Sequence, residues 1–379
     1  MKIAIVTTVH DIRDPRVSLK TAGALARSGY QVDLIGGLSA QSDLPAARQF
    51  TQILPDGINA VFLQANDGKF RRIKRQKEVL QRLDLEQTRL LYIHDPELIP
   101  LAEWIRFRHN IPYVFDLHED VFDRKSLRLE LLQRIVSWAF KSADGIITAF
   151  DPKLRPYHPQ PKAPCINVFN FYAPDLIPPE NHLSKQLPAK KASIRCCYTG
   201  TIAPDRNITD LFRFVDRLIS SGLDLELVVA GKIFMPRYLE EIRTALLKCH
   251  HKSRLYLIGG DHYVEWPMLE QIHQKSDVGI IWFDPEALNW NYPTKLFEYL
   301  GNGLPVISSD IPIIRLKLDE LNAGLYLPHD DYKTSFETIH HQIKELVNRD
   351  MAPAQDWVKQ YANWATEEKK LTDFIQQVL

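Results

Sequence analysis

The sequence predicts an α/β protein built of two Rossmann-like domains facing across a cleft. Three observations carry that expectation. Short apolar runs alternate with longer amphipathic runs along the chain. The alternation breaks once, at a proline-rich polar stretch, and then restarts. A length of 379 residues suits two domains better than one.

In the first half, strands are predicted at "IAIVTT" (3–8), "VDLIGG" (32–37), "NAVFLQ" (59–64), "LLYIHD" (90–95), "PYVFDLH" (112–118), "GIITAF" (145–150) and "CINVFN" (165–170). Helical patterns fall between most of them, near 15–28, 69–84, 97–109 and 124–142. Continuous apolar strands separated by helices mean a parallel sheet covered on both faces. "APDLIPPENHLSKQLPAKKAS" (173–193) has no apolar period and reads as a linker. The rhythm resumes at "IRCCYTGT" (194–201), "LELVVAGK" (225–232), "LYLIGG" (255–260), "VGIIWF" (278–283), "PVISSD" (305–310) and "AGLYL" (323–327). The expected organisation is therefore a first domain over 1–175, a linker over 176–193 and a second domain over 194–363. Two tail helices follow near 355–362 and 364–378, the last expected to pack back on the first domain.

Forty-seven basic and 47 acidic residues cancel, which argues against a nucleic-acid binder. Cys165, Cys196, Cys197 and Cys249 show neither C-x-x-C nor zinc spacing, so reduced, inert core cysteines are expected. Cys196 and Cys197, adjacent in a strand, should point to opposite faces. The start "MKIAIVTTVH" does not read as a signal peptide, and no stretch is long enough to span a bilayer. A cytoplasmic protein, with any membrane contact peripheral and at the cytoplasmic face, is expected.

Ligands of open α/β sheets sit at the carboxyl ends of strands. There "YIHDPE" brings His94, Asp95 and Glu97, and "FDLHED" brings Asp116 and His118 on one strand face with Glu119 and Asp120 beyond. The first loop, "TVHDIRDPRV", carries His10, Asp14 and Arg16 to a helix start, where Asp14-Pro15 also fits plain capping. Asp116, His118, Glu119 and Asp120 match no zinc signature, and no metal is expected. In the second half Gly200 and Thr201 follow a strand, Arg206 precedes a helix opening near Asn207, and Gly231-Lys232 end the next strand. Forked arginine donors beside unsatisfied helix amides suit a diphosphate. A P-loop, a G-x-G-x-x-G turn, a G-x-S-x-G elbow and a D-x-D motif are all missing.

"NYPTKLFEYLGNGLPVISSD" (291–310) resembles the nucleotide-binding segment of GT-B glycosyltransferases, above all glycosyltransferase family 4 in its polysaccharide-assembly branch. "DPRVSLKTAGALARSGYQVDLI", "HDPELIPLA" and "FDLHED" resemble the same branch, so the likeness runs over most of the chain. The resemblance implies transfer of a sugar from a nucleotide-diphosphate sugar to an acceptor hydroxyl, with retention and without a metal or other cofactor. It assigns Glu298 to the ribose hydroxyls, Arg206 and Lys295 to the diphosphate, and His118 to the donor sugar, with Gly200, Thr201, Lys232 and Thr294 around the nucleotide. His10, Arg16, His94 and Glu119 fall on the acceptor side, and Asp116 stands beside His118 as a catalytic candidate. Two departures stand out: Trp290 occupies the position eight before Glu298 where relatives carry glutamate, and Thr201 stands where they often carry arginine.

Related enzymes act on lipid-linked oligosaccharides, which makes "KFRRIKRQKEVLQRL" (69–83) of interest. Its basic residues with Phe70, Ile73, Leu80 and Leu83 fit an interfacial helix on anionic lipid, or a core-packed helix with a basic outer side. Two other functions stay open: a nucleotide-sugar epimerase or hydrolase of the same fold, and a degenerate, transferase-like scaffold.

Overall fold

The computed structural model describes residues 1–38, 44–64, 71–117, 127–150, 160–179, 187–233, 235–284, 292–327 and 335–379. The chain forms two units, Met1–Asn170 with Trp364–Leu379, and Phe171–Asn363.

The first unit is one sheet of seven strands: β1 (Lys2–Asp11), β2 (Gln31–Gly37), β3 (Ile58–Phe62), β4 (Thr88–Ile93), β5 (Tyr113–Leu117), β6 (Gly145–Thr148) and β7 (Cys165–Asn167). Every pairing is parallel, in the order β3-β2-β1-β4-β5-β6-β7. The order reverses between β1 and β4, which opens a crevice at their carboxyl ends. The helix expected over 15–28 opens as a π-turn, Arg16–Ala22, and continues as Gly23–Arg27. Asp14 starts it, with Oδ1 accepting the Arg16 N–H at 2.9 Å and its carbonyl accepting the Ser18 N–H at 2.9 Å. Pro15 O then accepts the Lys20 N–H at 2.8 Å, the wider spacing that defines a π-turn. A short helix, Leu44–Thr51, was not foreseen.

Helix Arg71–Arg82 covers part of the 69–83 stretch. Val79 and Leu83 are buried, and Arg75 donates to the Thr8 carbonyl. That part of its apolar face is therefore turned to the core, as in the core-packed reading, and Leu80 is half-buried; Phe70 lies outside the described residues. The last helix, Trp364–Val378, belongs to the first unit. Phe374 lies so close to Gly145 that a Cβ there would stand 2.9 Å from its ring. Glu367 accepts the Phe169 N–H at 2.8 Å.

The second unit holds β8 (Ile194–Thr199), β9 (Leu225–Lys232), β10 (Leu255–Gly260), β11 (Val278–Ile281), β12 (Val306–Ser309) and β13 (Gly324–Leu327), all parallel, in the order β10-β9-β8-β11-β12-β13. Its reversal falls between β8 and β11. Apolar clusters cover both faces, with Cys196 in one and Cys197 in the other, as strand alternation requires. Burial pushes the Cys197 thiol up to about 12 and raises Cys196 as well. Cys165 departs from the expected core cysteines: it is exposed on β7. Among the described residues no helix is long and apolar enough to cross a membrane.

Candidate functional site

In the second unit, the loop after β8 carries Gly200, Thr201 and Arg206 to the switch point. Gly200 turns with a φ of 103°, a conformation that favours glycine. Its amide bonds to Ala230 O at 2.9 Å, which brings the loop against the end of β9. A Cβ on Gly231 would fall 1.8 Å from the Gly200 carbonyl oxygen, so only glycine fits there. Gly231→Ala is expected to lower stability by about 1–3 kcal/mol through overpacking; a thermal melt unchanged from wild type would refute this.

Helix Thr294–Gly301 follows β11, with Pro293 as its cap. Its Lys295 is only 9% exposed. The Lys295 Nζ lies 3.5 Å from the centre of the Tyr198 ring and 5.6 Å from that of Phe283. The Arg206 guanidinium stacks on the same Phe283 at 3.9 Å. Two cations thus gather around one aromatic platform. Among the described residues no carboxylate pairs with Lys295. Burial, and after it the charge of Arg206, hold its ammonium well below the ordinary lysine value. A buried cation without a counter-ion is costly, and an anionic ligand would relieve that cost. One turn on, half-buried Glu298 makes no side-chain hydrogen bond or ion pair among the described residues. Its two carboxylate oxygens are free to accept from a pair of neighbouring hydroxyls. Thr294 is half-buried at the helix start, Thr201 is exposed, and Lys232 is buried at the end of β9.

A buried network holds this helix to β8. Tyr299 O–H accepts the Thr199 N–H at 3.0 Å, and Thr199 Oγ1 meets His273 Nε2 at 2.9 Å. His273 Nδ1 stands 3.4 Å from Glu270, which also accepts from Tyr172 at 2.7 Å and Asn302 at 3.2 Å. Asn302 donates in turn to the Glu298 carbonyl at 3.0 Å. Burial alone would raise the Glu270 carboxyl, yet the bonds from His273 and Tyr172 hold it below its ordinary value. The ring of Tyr299 fits because Gly279 has no side chain; a Cβ there would come within 2.3 Å of it.

In the first unit the switch point is built around two buried carboxylates. Asp95 accepts from the backbone of Thr8 and, at 3.1 Å, from the Val9 N–H and the Thr7 hydroxyl. His10 Nε2 stands 3.6 Å from its other oxygen, on a side chain that reaches solvent. Asp116 accepts from Arg16 at 2.9 and 3.2 Å and from Tyr92 O–H at 2.9 Å, with His94 Nδ1 at 3.5 Å. Burial works against the Arg16 charge, but Asp116 beside it raises the guanidinium further. Burial, then Asp116, lift the Tyr92 phenol well above its ordinary value.

Asp116 was expected in the catalytic group, and Arg16 and His94 on the acceptor side. All three are buried and meet one another below the surface, where Asp116 is occupied by its own neighbours. They join the ends of β4 and β5 through these contacts. His10 keeps an accessible imidazole. His118, Glu119, Asp120 and Trp290 lie outside the described residues. Arg206 and Lys295 do come together, with Gly200 beside Lys295. Tyr198 and Phe283, which carry both cations, were missed, and nothing in a sequence marks an apolar strand aromatic as a cation platform.

Comparison with known proteins bears on the fold. Residues 15–152 match a family model described as a glycosyl transferase 4-like domain. Solved structures of GT-B architecture align over the whole chain, so the fold is GT-B. The fold is thus GT-B over the whole chain, while the likeness to a glycosyl transferase 4-like domain covers residues 15–152. Sucrose-phosphate synthase from Thermosynechococcus elongatus shares 15% identity at a TM-score of 0.70, covering 100% of this chain and 99% of that one. Anabaena HepE, in complex with UDP and glucose, shares 14% at 0.70, covering 100% of both. The trehalose 6-phosphate synthase of Burkholderia multivorans shares 11% at 0.63, covering 99% and 98%. No curated protein sequence matches the chain. Residues 195–291 also match an arginase family model. That span holds β8 to β11 and stops before β12 and β13, so it is a fragment of one sheet rather than a structural unit.

Proposed function

We propose that this protein transfers a sugar from a nucleotide-diphosphate sugar to an acceptor hydroxyl, with retention and without a metal, in the assembly of a polysaccharide or glycoconjugate. The observation that carries the reading is the buried Lys295, without an ion-paired carboxylate among the described residues and sharing the Phe283 platform with Arg206. In this reading the two cations take the diphosphate and stabilise it as the glycosidic bond breaks. Glu298 takes the ribose hydroxyls, and His118 the donor sugar. The loop at Gly200 and Thr201, with Lys232 and Thr294, borders the nucleotide. A lipid-linked or free oligosaccharide is the acceptor class. Anabaena HepE is described with UDP-glucose, which makes UDP-sugars the first donors to try.

In a retaining reaction the leaving phosphate oxygen takes the acceptor proton. An inverting reaction needs a protein base instead. Buried Asp116 is unsuited to that role, whereas His10 backed by Asp95 is equipped for it. Proton NMR of the product separates the two outcomes: an α-linked donor giving an α-linked product is expected. A panel of nucleotide sugars, with nucleotide release as the readout, tests the proposal. Release that depends on acceptor is the expected result. Full turnover without acceptor would point to an epimerase or hydrolase, and no turnover with any donor to a scaffold.

A further inference from the structure

The helix that carries Lys295 and Glu298 is held by a closed circuit of polar groups. Pairing of β8 with β11 covers only Cys196 with Val278 and Cys197 with Gly279, so the two strands part before the switch point. The Tyr299 hydroxyl enters the gap. It accepts the Thr199 N–H of β8 at 3.0 Å and reaches the Ile280 carbonyl of β11 at 3.4 Å, in place of the next rung. From Thr199 the circuit runs through its hydroxyl to His273 Nε2, and through His273 Nδ1 to Glu270, both on helix Trp266–Gln274. Asn302 Nδ2 stands 3.2 Å from Glu270 and 3.0 Å from the Glu298 carbonyl. Glu298 precedes Tyr299 in the chain, so the circuit closes on the peptide unit between them.

An apolar side chain would fill the gap without taking polar groups out of water. Thr199, His273 and Tyr299 are instead buried, and each has its hydrogen-bond partners. A satisfied buried network rigidifies its members and specifies one arrangement of them. The circuit also touches each part of the candidate site. Tyr198, whose ring lies against Lys295, precedes Thr199 on β8, and Lys295 lies one turn before Tyr299 on the helix. A binding constellation needs its groups held to within about 0.5 Å by such supports. We propose that Tyr299 and Asn302 are positioning residues which, through this circuit, set the Glu298 carboxylate and the Lys295 ammonium for a nucleotide diphosphate. This role rests on the nucleotide reading of those two side chains.

Calorimetric titration with UDP, GDP and ADP tests it, joined to amide hydrogen exchange of the unliganded protein. The variants are Tyr299→Phe, which removes only a hydroxyl, and Asn302→Ala. Ile343→Val, in the apolar cluster of the opposite sheet face, is the control for lost stability alone. The Thr199 amide should exchange about tenfold or more faster in Tyr299→Phe. Whichever nucleotide binds the wild type should bind Tyr299→Phe and Asn302→Ala about tenfold or more weakly. It should bind Ile343→Val as it binds the wild type, although the melting temperature of that variant also falls. Unchanged affinity in both circuit variants would overturn the proposal and leave the nucleotide site standing. Equal weakening in Ile343→Val, or unaltered exchange at Thr199, would overturn it as well. A wild type that binds none of the three nucleotides would overturn the nucleotide reading, and the positioning role with it.

Discussion

Lys295→Met is expected to cut turnover by about a hundred- to a thousandfold, equivalent to about 2.7–4 kcal/mol of transition-state stabilisation. The same change should raise the melting temperature of the unliganded protein. The two effects have one cause. Lys295 is a buried cation over Tyr198, with no carboxylate to balance it among the described residues. It is unfavourable until a diphosphate arrives, and methionine fills its volume without the charge. A merely structural lysine would show the reverse pattern, with stability lost and activity spared.

The depressed Lys295 ammonium gives the pH dependence its sign. Between its lowered value and the ordinary 10.5, the folded protein binds fewer protons than the unfolded chain. Stability of the unliganded protein from this group therefore rises with pH through that window. A bound diphosphate raises the ammonium again, so binding takes up protons there, and affinity falls as pH rises. Calorimetry in two buffers of different ionisation heat reads the uptake directly; zero uptake across the alkaline range would contradict it.

Asp116→Ala is expected to destabilise the first unit by about 3–5 kcal/mol, because it leaves the buried Arg16 guanidinium without its carboxylate. Arg16 and Tyr92 both donate to Asp116, and His94 stands at 3.5 Å, so the loss is shared by a whole cluster. Chemical unfolding followed by circular dichroism measures the change as a lowered midpoint. Asp116→Asn keeps an acceptor for Tyr92 and should cost less. If both variants unfold like the wild type while activity collapses, Asp116 is a catalytic group after all.

These two residues also show what a sequence discloses. All thirteen strands among the described residues were legible, the inner ones because strands buried on both faces of a parallel sheet read as unbroken apolar runs. Strand ends then located both switch points and Arg206, whereas Lys295 and Glu298 came from the resemblance of 291–310 to glycosyltransferase segments. The fate of Asp116 was not legible, since its partner Arg16 lies 100 positions upstream and only the fold brings them together. A carboxylate at a strand end looks the same in a sequence whether it meets a substrate or a buried arginine. The relay from Glu270 through His273 to Thr199 was hidden for the same reason: its members come from a helix and a strand 74 positions apart. The apolar residues of 69–83 fitted a core or a membrane equally well by period. Burial of Val79 and Leu83 places that end of the stretch against the core.

The cations at the second switch point and Glu298 are expected to form a nucleotide-diphosphate site. Calorimetric titration with UDP, GDP and ADP tests it most directly, on the wild type and on Glu298→Ala. At least one nucleotide should bind the wild type, and the variant should bind it about 30- to 150-fold more weakly, the 2–3 kcal/mol of a charge-assisted pair. Failure of all three to bind, or equal binding by the variant, would contradict the account.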